Sequence, residues 1–296
     1  MPHRSTDRTS GHAPAKPMSQ AELTGQAAAL RARIVRMIHR APAGHPGHPG
    51  GSLSAADIIT ALYFGVLRVR PDEPDWPDRD RFVLSKGHAA PALYAALAAR
   101  GYFAEDDLGT LRRPGCKLQG HPDMCKTPGV DMTTGSLGQG ISAAVGMALG
   151  GKIDGRDYRV FTLLSDGELN EGQVWEAAMA AYKYKLDNLT AIVDANGLQN
   201  DGPIEEVMPM GDVVAKWQAF GWAAEEIDGH DVAGLVAALS RRPEPGRPRV
   251  FVARTVKGKG VSFMENQLAW HAGAINTEQL SAALAELGCP DTGAGQ

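Results

Sequence analysis

Cysteine is scarce: the 296 residues contain three, Cys116, Cys125 and Cys289. An odd number makes no closed disulfide framework, and so few agree with a reducing compartment. Cys116 and Cys125 flank His121, but their spacings match no zinc finger, and two thiols with one imidazole leave a tetrahedral site short of a ligand. They read as ordinary thiols. Long apolar runs are missing too, and none approaches the roughly 20 residues that a bilayer-crossing helix needs. The opening MPHRSTDRTSGHAPAKPMS lacks the apolar core of a secretory signal, so the chain is expected to be cytosolic. Excess positive charge is also absent. With a net charge of -4 and no basic cluster interleaved with aromatics, nucleic-acid binding is disfavoured.

What is present is an ordinary globular composition, 43% hydrophobic, enough for a substantial core in one large α/β domain or two small ones. Residues 1–18 are rich in Pro, Ser, Thr, Arg and His without periodicity and read as a disordered tail, leaving 19–288 as the folded domain and 289–296 as a second tail. Leu23, Ala27, Leu30, Ile34, Met37 and Ile38 recur at helical spacing until Pro42. A Gly-Pro loop, GHPGHPGG, then leads into a helix whose N-cap is expected at Ser52 or Ser54. Strands are expected at Arg81 to Leu84, in FTLLSDG, in LTAIVDANG, at Trp222 to Ile227 and in PRVFVARTV, with helical patterns between them and a last helix from Thr277 to Leu287. This alternation predicts an α/β fold, a doubly wound and mainly parallel sheet with helices on both faces.

The segment from Ser165 to Gly202 organises the rest. Two apolar runs each stop at a polar residue followed by Gly, which sets Asp166 and Asn196 at the carboxyl ends of two strands. Open parallel sheets bind ligands in the crevice there. One carboxylate and one amide oxygen suit Mg2+, which fills its octahedron with water and phosphate. Asp-Gly and Asn-Gly are also common turn dipeptides, so the pair does not suffice alone. Upstream, Gly138-Gln139-Gly140-Ile141-Ser142-Ala143 fits the dinucleotide pattern, which requires a buried strand directly before it. Here TPGVDMTTGSL is a polar loop, and no acidic residue closes a strand about twenty residues on. Lys257 and Lys259 lie outside any Walker sequence and read as solvated.

The Asp-Gly and Asn loop, thirty residues apart, together with Gly-His-Pro, Lys-Gly-His, Gly-His-Pro-Asp, the Gly138–Gly140 turn and a histidine after Lys-Gly-Lys-Gly, resembles the transketolase family over roughly residues 20 to 287. The resemblance implies that Asp166, Asn196 and the Leu198 carbonyl hold Mg2+ against thiamin diphosphate. It implies cofactor contacts from His88, Gly135, Leu137, Asp166, Gly167, Glu171, Asn196 and His271, with Glu171 in a carboxylate network across a subunit interface. His48, His88, His121 and His271 are implied around the sugar, where imidazoles move protons near neutral pH. Gly-His-Pro occurs twice; counting forward selects His45, while counting back from Gly51-Ser52-Leu53 selects His48, taken here because the downstream match is unbroken. One departure is Ser165, where the family usually has Gly.

The resemblance is to the N-terminal subunit of a split transketolase, the diphosphate-binding half. It implies transfer of a two-carbon ketol unit from a ketose phosphate to an aldose phosphate. A separate C-terminal subunit would carry the pyrimidine-binding half, in a two-fold hetero-oligomer of paired halves acting in pentose phosphate metabolism. Other readings are a deoxyxylulose phosphate synthase, a 2-oxo acid dehydrogenase component, or a non-catalytic regulatory module of the same fold. The histidine set disfavours the dehydrogenase, and the intact Asp166 and Asn196 disfavour the module.

Overall fold

The computed structural model describes residues 18–289. The expected tails fall outside them except at their inner ends: Met18 and Cys289 both pack against the core, and the Cys289 carbonyl accepts a hydrogen bond from Arg36. The first helix, α1 (Gln20–His39), begins at Ser19 in a capping box with Glu22, so two orphan amides at its start are satisfied reciprocally. Its apolar stripe is buried as expected, and with it Arg31, whose guanidinium forks onto Asp57 at 3.1 and 2.5 Å.

The next helical stretch departs from expectation. It is two short helices, α2 (Pro49–Ser54) and α3 (Ala56–Ala61), followed by a π-type turn over Leu62–Val66. Neither Ser52 nor Ser54 is the N-cap. Pro49, with its fixed φ and missing N–H, takes the first helical position and puts His48 at the cap. The serines turn inward instead: Ser52 donates to the His48 carbonyl and Ser54 to Asp194.

Then follow β1 (Arg81–Leu84), α4 (Ala90–Ala99), α5 (Gln139–Ile153), β2 (Val160–Ser165), α6 (Gly172–Lys183), β3 (Leu189–Ala195), α7 (Ile204–Val207), α8 (Val213–Ala219), β4 (Ala223–Asp228), α9 (Val232–Ser240), β5 (Arg249–Arg254) and α10 (Thr277–Glu286). All strand pairs are parallel, in the order β1-β2-β3-β5-β4. The strands fall within two residues of where the apolar runs placed them.

Both faces of the sheet are covered, as a parallel sheet requires. Alternate residues divide between two cores: Phe161, Leu163, Ile192 and Phe251 face α1, α3, α4 and α9, while Leu164, Val193, Val250 and Val252 face α5, α6 and α8. The second core is anchored by Trp217 and Trp222, both fully buried with ring centroids 4.8 Å apart. Truncating either to Ala would cost about 3–5 kcal/mol. Gly140, early in α5, lies so close to the end of β1 that a Cβ would sit 2.6 Å from the Ser85 Cα. Only glycine lets α5 lie this tightly over the sheet, and that contact aims the α5 start at the carboxyl ends of β1 and β2.

Candidate active site

Four adjacent strands, β1, β2, β3 and β5, deliver site residues from their carboxyl ends. Lys86 follows β1 and Asp194 lies near the end of β3; both are fully buried and meet at 2.5 Å. Asp194 also accepts from Ser54 at 2.6 Å and from the Thr255 hydroxyl, while Lys86 donates to the Gly51 carbonyl at 2.9 Å. Burial alone would raise the Asp194 carboxyl, but the Lys86 ammonium and these hydrogen bonds outweigh it and hold the group below the usual carboxylate range. The pair forms a charged floor that ties the α2 helix to β1, β3 and β5.

Above that floor stand the histidines. The His48 ring lies 5.4 Å from His88, 5.6 Å from His271 and 6.3 Å from His121, and His88 lies 5.4 Å from His271. All four expected imidazoles thus converge. His45 does not join them; it is exposed, and the backbone bridge between Gly47 and Gly273 separates the first Gly-His-Pro from the cluster while linking the loops of His48 and His271. Burial, and then the charges of His271, Arg112, His121 and Lys257, lower His48 to about 4. Burial and then Lys257 and Lys86 lower His271 to about 4, and burial with Lys86 takes His88 well below its ordinary value. At pH 7 these rings are neutral and able to exchange protons or hydrogen bonds.

Beside the imidazoles, Asp166 and Asn196 follow the paired strands β2 and β3, and the Gly197 amide ties their two loops together. The Asp166 carboxylate accepts from the Gly167 and Gly197 amides at 2.9 and 2.6 Å, and the Asn196 side-chain oxygen accepts from the Leu198 amide at 3.1 Å. Burial and the neighbouring Asp194 charge raise Asp166 to about 6, a carboxylate short of a counter-cation. A hard divalent ion would relieve that strain. The Leu198 carbonyl, the third implied ligand, accepts from Lys257 at 3.0 Å. Gly135 and Gly138 hold positive φ values of 152° and 83°, and a Cβ at Gly135 would sit 3.1 Å from the His121 ring. Their bare backbone forms a cradle beside the cluster. His48 Nδ1 is buried without a hydrogen-bond partner among the described residues. These features fit a diphosphate-bearing cofactor held through a metal. Among the described residues no three His, Cys, Asp or Glu side chains gather as a metal site, and of those residue types the implied Mg2+ set uses only Asp166.

The remaining expected residues are more loosely placed. Leu137 is half-buried in the loop before α5. Glu171 is exposed at the N-cap of α6, with its stem against the glycine turn: a Cβ on Gly138 would lie 2.8 Å from the Glu171 Cβ. A different glutamate is inside: Glu168 is fully buried and accepts from the amides of Gly138 and Ser165 at 2.8 and 3.2 Å and from Ser85 at 2.5 Å. It pins the glycine turn to the ends of β1 and β2. Ser165, where a glycine is usual, has a place here, since its hydroxyl accepts from the Glu168 amide at 3.3 Å.

Lys257 is not solvated. It is buried, and burial followed by the Lys86 charge lowers it to about 8. Lys86, Asp194 and Glu168 are also additions to the residues expected from sequence. A signal exists for the first two: FVLSK and LTAIVD each end an apolar run in a charge, and charges so buried must be paired. Arg112 is a further addition, with a φ of 61° and no hydrogen bond from its guanidinium to the described residues, although its charge acts on His48 and His121.

Neutral imidazoles, a carboxylate and an amide gathered at the strand ends of a doubly wound parallel sheet define a cofactor-binding α/β enzyme domain. The family described as transketolase, thiamine diphosphate binding domain, matches residues 24–293, and the chain belongs to that family. It is 50% identical over 242 residues to the 6-deoxy-6-sulfo-D-fructose transketolase subunit SqwG of Clostridium sp. (strain MSTE9), covering 81% of this chain and 88% of that protein. It is 43% identical over 258 residues to one of the subunits of the apulose-4-phosphate transketolase of Phocaeicola vulgatus, covering 87% of this chain and 90% of that protein. The solved transketolase of Campylobacter jejuni superimposes with a TM-score of 0.86 at 31% identity, over 93% of this chain but 44% of that one. The chain thus spans less than half of that transketolase and most of each of the two shorter relatives. Among the described residues no helix is long and apolar enough to cross a membrane.

Proposed function

We propose that this chain is one half of a two-part transketolase. It would hold thiamin diphosphate through Mg2+ and, with a partner chain, transfer a two-carbon ketol unit from a ketose to an aldose. The observation that carries this reading is the convergence of four imidazoles beside the joined loops of Asp166 and Asn196. Relatives of nearly the same length, named as transketolase subunits, support the split arrangement.

In this reading Asp166, Asn196 and the Leu198 carbonyl ligate Mg2+, and Gly135, Leu137 and Gly167 line the cofactor. The exposed Glu171 meets the partner chain in a two-fold hetero-oligomer. The electron sink for carbon–carbon cleavage is supplied by thiamin diphosphate when bound. The chain's own part is to orient the sugar: His48, His88, His121 and His271 bond its hydroxyl and carbonyl oxygens, and neutral rings can receive or donate protons there. The guanidinium of Arg112, without a hydrogen-bond partner among the described residues and acting on His48 and His121, favours a sugar with an anionic end. That agrees with the sulfo and phosphate groups in the names of the Clostridium and Phocaeicola relatives. A cytosolic place in pentose phosphate metabolism completes the reading, in keeping with so few cysteines.

The test is co-purification with the product of the adjacent reading frame, followed by ketol-transfer assays with 6-deoxy-6-sulfo-D-fructose, apulose 4-phosphate and a pentulose phosphate as donors. Transfer is expected only with both chains, thiamin diphosphate and Mg2+. A complex that binds the cofactor and transfers from none of these donors would sink the assignment, and one that binds no cofactor would be a regulatory module.

A further inference from the structure

Lys257 differs from the other lysines in where its ammonium goes. Its Nζ lies 3.0 Å from the Leu198 carbonyl oxygen and 3.0 Å from Nδ1 of His271. An ammonium has three N–H donors and no lone pair, so the ring nitrogen facing it must be the acceptor. Rotating the ring by half a turn would set a C–H against the ammonium instead. With Nδ1 accepting, the ring's single proton sits on Nε2. Nε2 makes no hydrogen bond to the described residues, and the ring stands 5.6 Å from His48 and 5.4 Å from His88 at the centre of the cluster.

The lysine is itself held firmly. The Val256 amide donates to Nε2 of His230 at 2.8 Å, and His230 Nδ1 bonds Asp57 at 2.7 Å, the carboxylate already forked by Arg31. From the other side, a Cβ on Gly50 would lie 3.0 Å from the Lys257 Cγ and 2.7 Å from the Trp270 carbonyl oxygen. The bare glycine backbone therefore lets the Lys257 stem and the His271 loop close on each other.

We propose that Lys257 is a positioning residue that fixes His271 as its Nε2–H tautomer, so that His271 gives a hydrogen bond to an oxygen in the cleft and does not act as the proton acceptor. The catalytic consequence rests on the transketolase reading; the tautomer does not. Of the adjacent pair His48 and His271, the second is thereby removed as the proton acceptor, and the role passes to His48, whose Nδ1 has no partner among the described residues to fix its tautomer.

The experiment is a long-range proton–nitrogen correlation spectrum of the full chain with 15N-labelled histidine at pH 7, His271 being assigned by its disappearance in His271→Gln. Nδ1 of His271 is expected in the unprotonated range and Nε2 in the protonated range. Lys257→Met should shift His271 to a mixture or to the Nδ1–H form, and Lys257→Arg, which keeps a donor, should restore the original pattern. In the assembled enzyme, Lys257→Met should lower kcat by roughly 10- to 100-fold, as loss of an orienting partner does, with Lys257→Arg recovering part of it. A protonated Nδ1 in the wild-type spectrum overturns the proposal even if the methionine variant does not fold, and so does an unchanged pattern in a folded Lys257→Met chain. An Nε2–H signal in a complex without ketol transfer would uphold the tautomer and sink the functional reading instead.

Discussion

Replacing Lys86 by Met should destabilise the chain more than any surface change, and the amount follows from its surroundings. Lys86 and Asp194 are both completely buried at 2.5 Å. Removing one member of such a pair strands the other and costs about 3–5 kcal/mol, and the Gly51 carbonyl would lose its donor for about 1 kcal/mol more. Hydroxyl donors from Ser54 and Thr255 remain on Asp194 and bring the expected total toward the lower end, about 3–4 kcal/mol at pH 7. At roughly 2–4 °C per kcal/mol for a domain of this size, the melting midpoint should fall by about 6–16 °C. The pH dependence supplies an independent check. With the ammonium gone, burial raises the Asp194 carboxyl above its unfolded value, so the folded variant binds more protons and regains stability as pH falls. Guanidinium unfolding of the full chain, followed by circular dichroism at pH 7 and pH 5, measures both effects. A penalty under about 1 kcal/mol at pH 7, or one that grows toward pH 5, would refute the buried-pair account.

Three other outcomes are expected. Gly140→Ala would push its new methyl against Ser85, 2.6 Å from the Cα, and should cost about 1–3 kcal/mol in chemical unfolding; a neutral result would mean that α5 can shift freely. His48 is lowered to about 4, so between pH 6.5 and 4 the unfolded chain binds a proton there that the folded chain does not, and stability falls as pH drops through that window. Asp166, raised to about 6, acts in the opposite direction, so the clean readout is His48→Gln, which should flatten the decline of the unfolding midpoint; equal slopes would contradict it. Asp166→Ala should abolish calorimetrically detected binding of thiamin diphosphate with Mg2+ to the assembled complex, and undiminished binding would remove Asp166 from the metal set.

The strands are legible in sequence because a parallel sheet buried on both faces writes short apolar runs, and those of β1, β2 and β3 end at a polar residue followed by Gly or Lys. Their placement at one crevice follows from parallel topology. The Lys86–Asp194 pair is not legible, because its partners are 108 residues apart and neither shows in sequence which charge it meets. Lys257 is hidden for a related reason: Lys-Gly-Lys-Gly has the composition of a solvated loop, and only packing beneath Gly50 and beside His271 buries its first lysine. The doubled Gly-His-Pro offers two candidate histidines. The bridge from Gly47 to Gly273, a contact between distant segments, places His48 inside and leaves His45 out.

Asp194 receives hydrogen bonds from Ser54, Lys86, Asn196 and Thr255, on segments widely separated along the chain. A keystone of that kind couples the fates of its neighbours. Drift at Ser54 or Thr255 would alter the environment of the same carboxylate that Lys86 neutralises, so relatives that replace one of these residues should carry a compensating change at another.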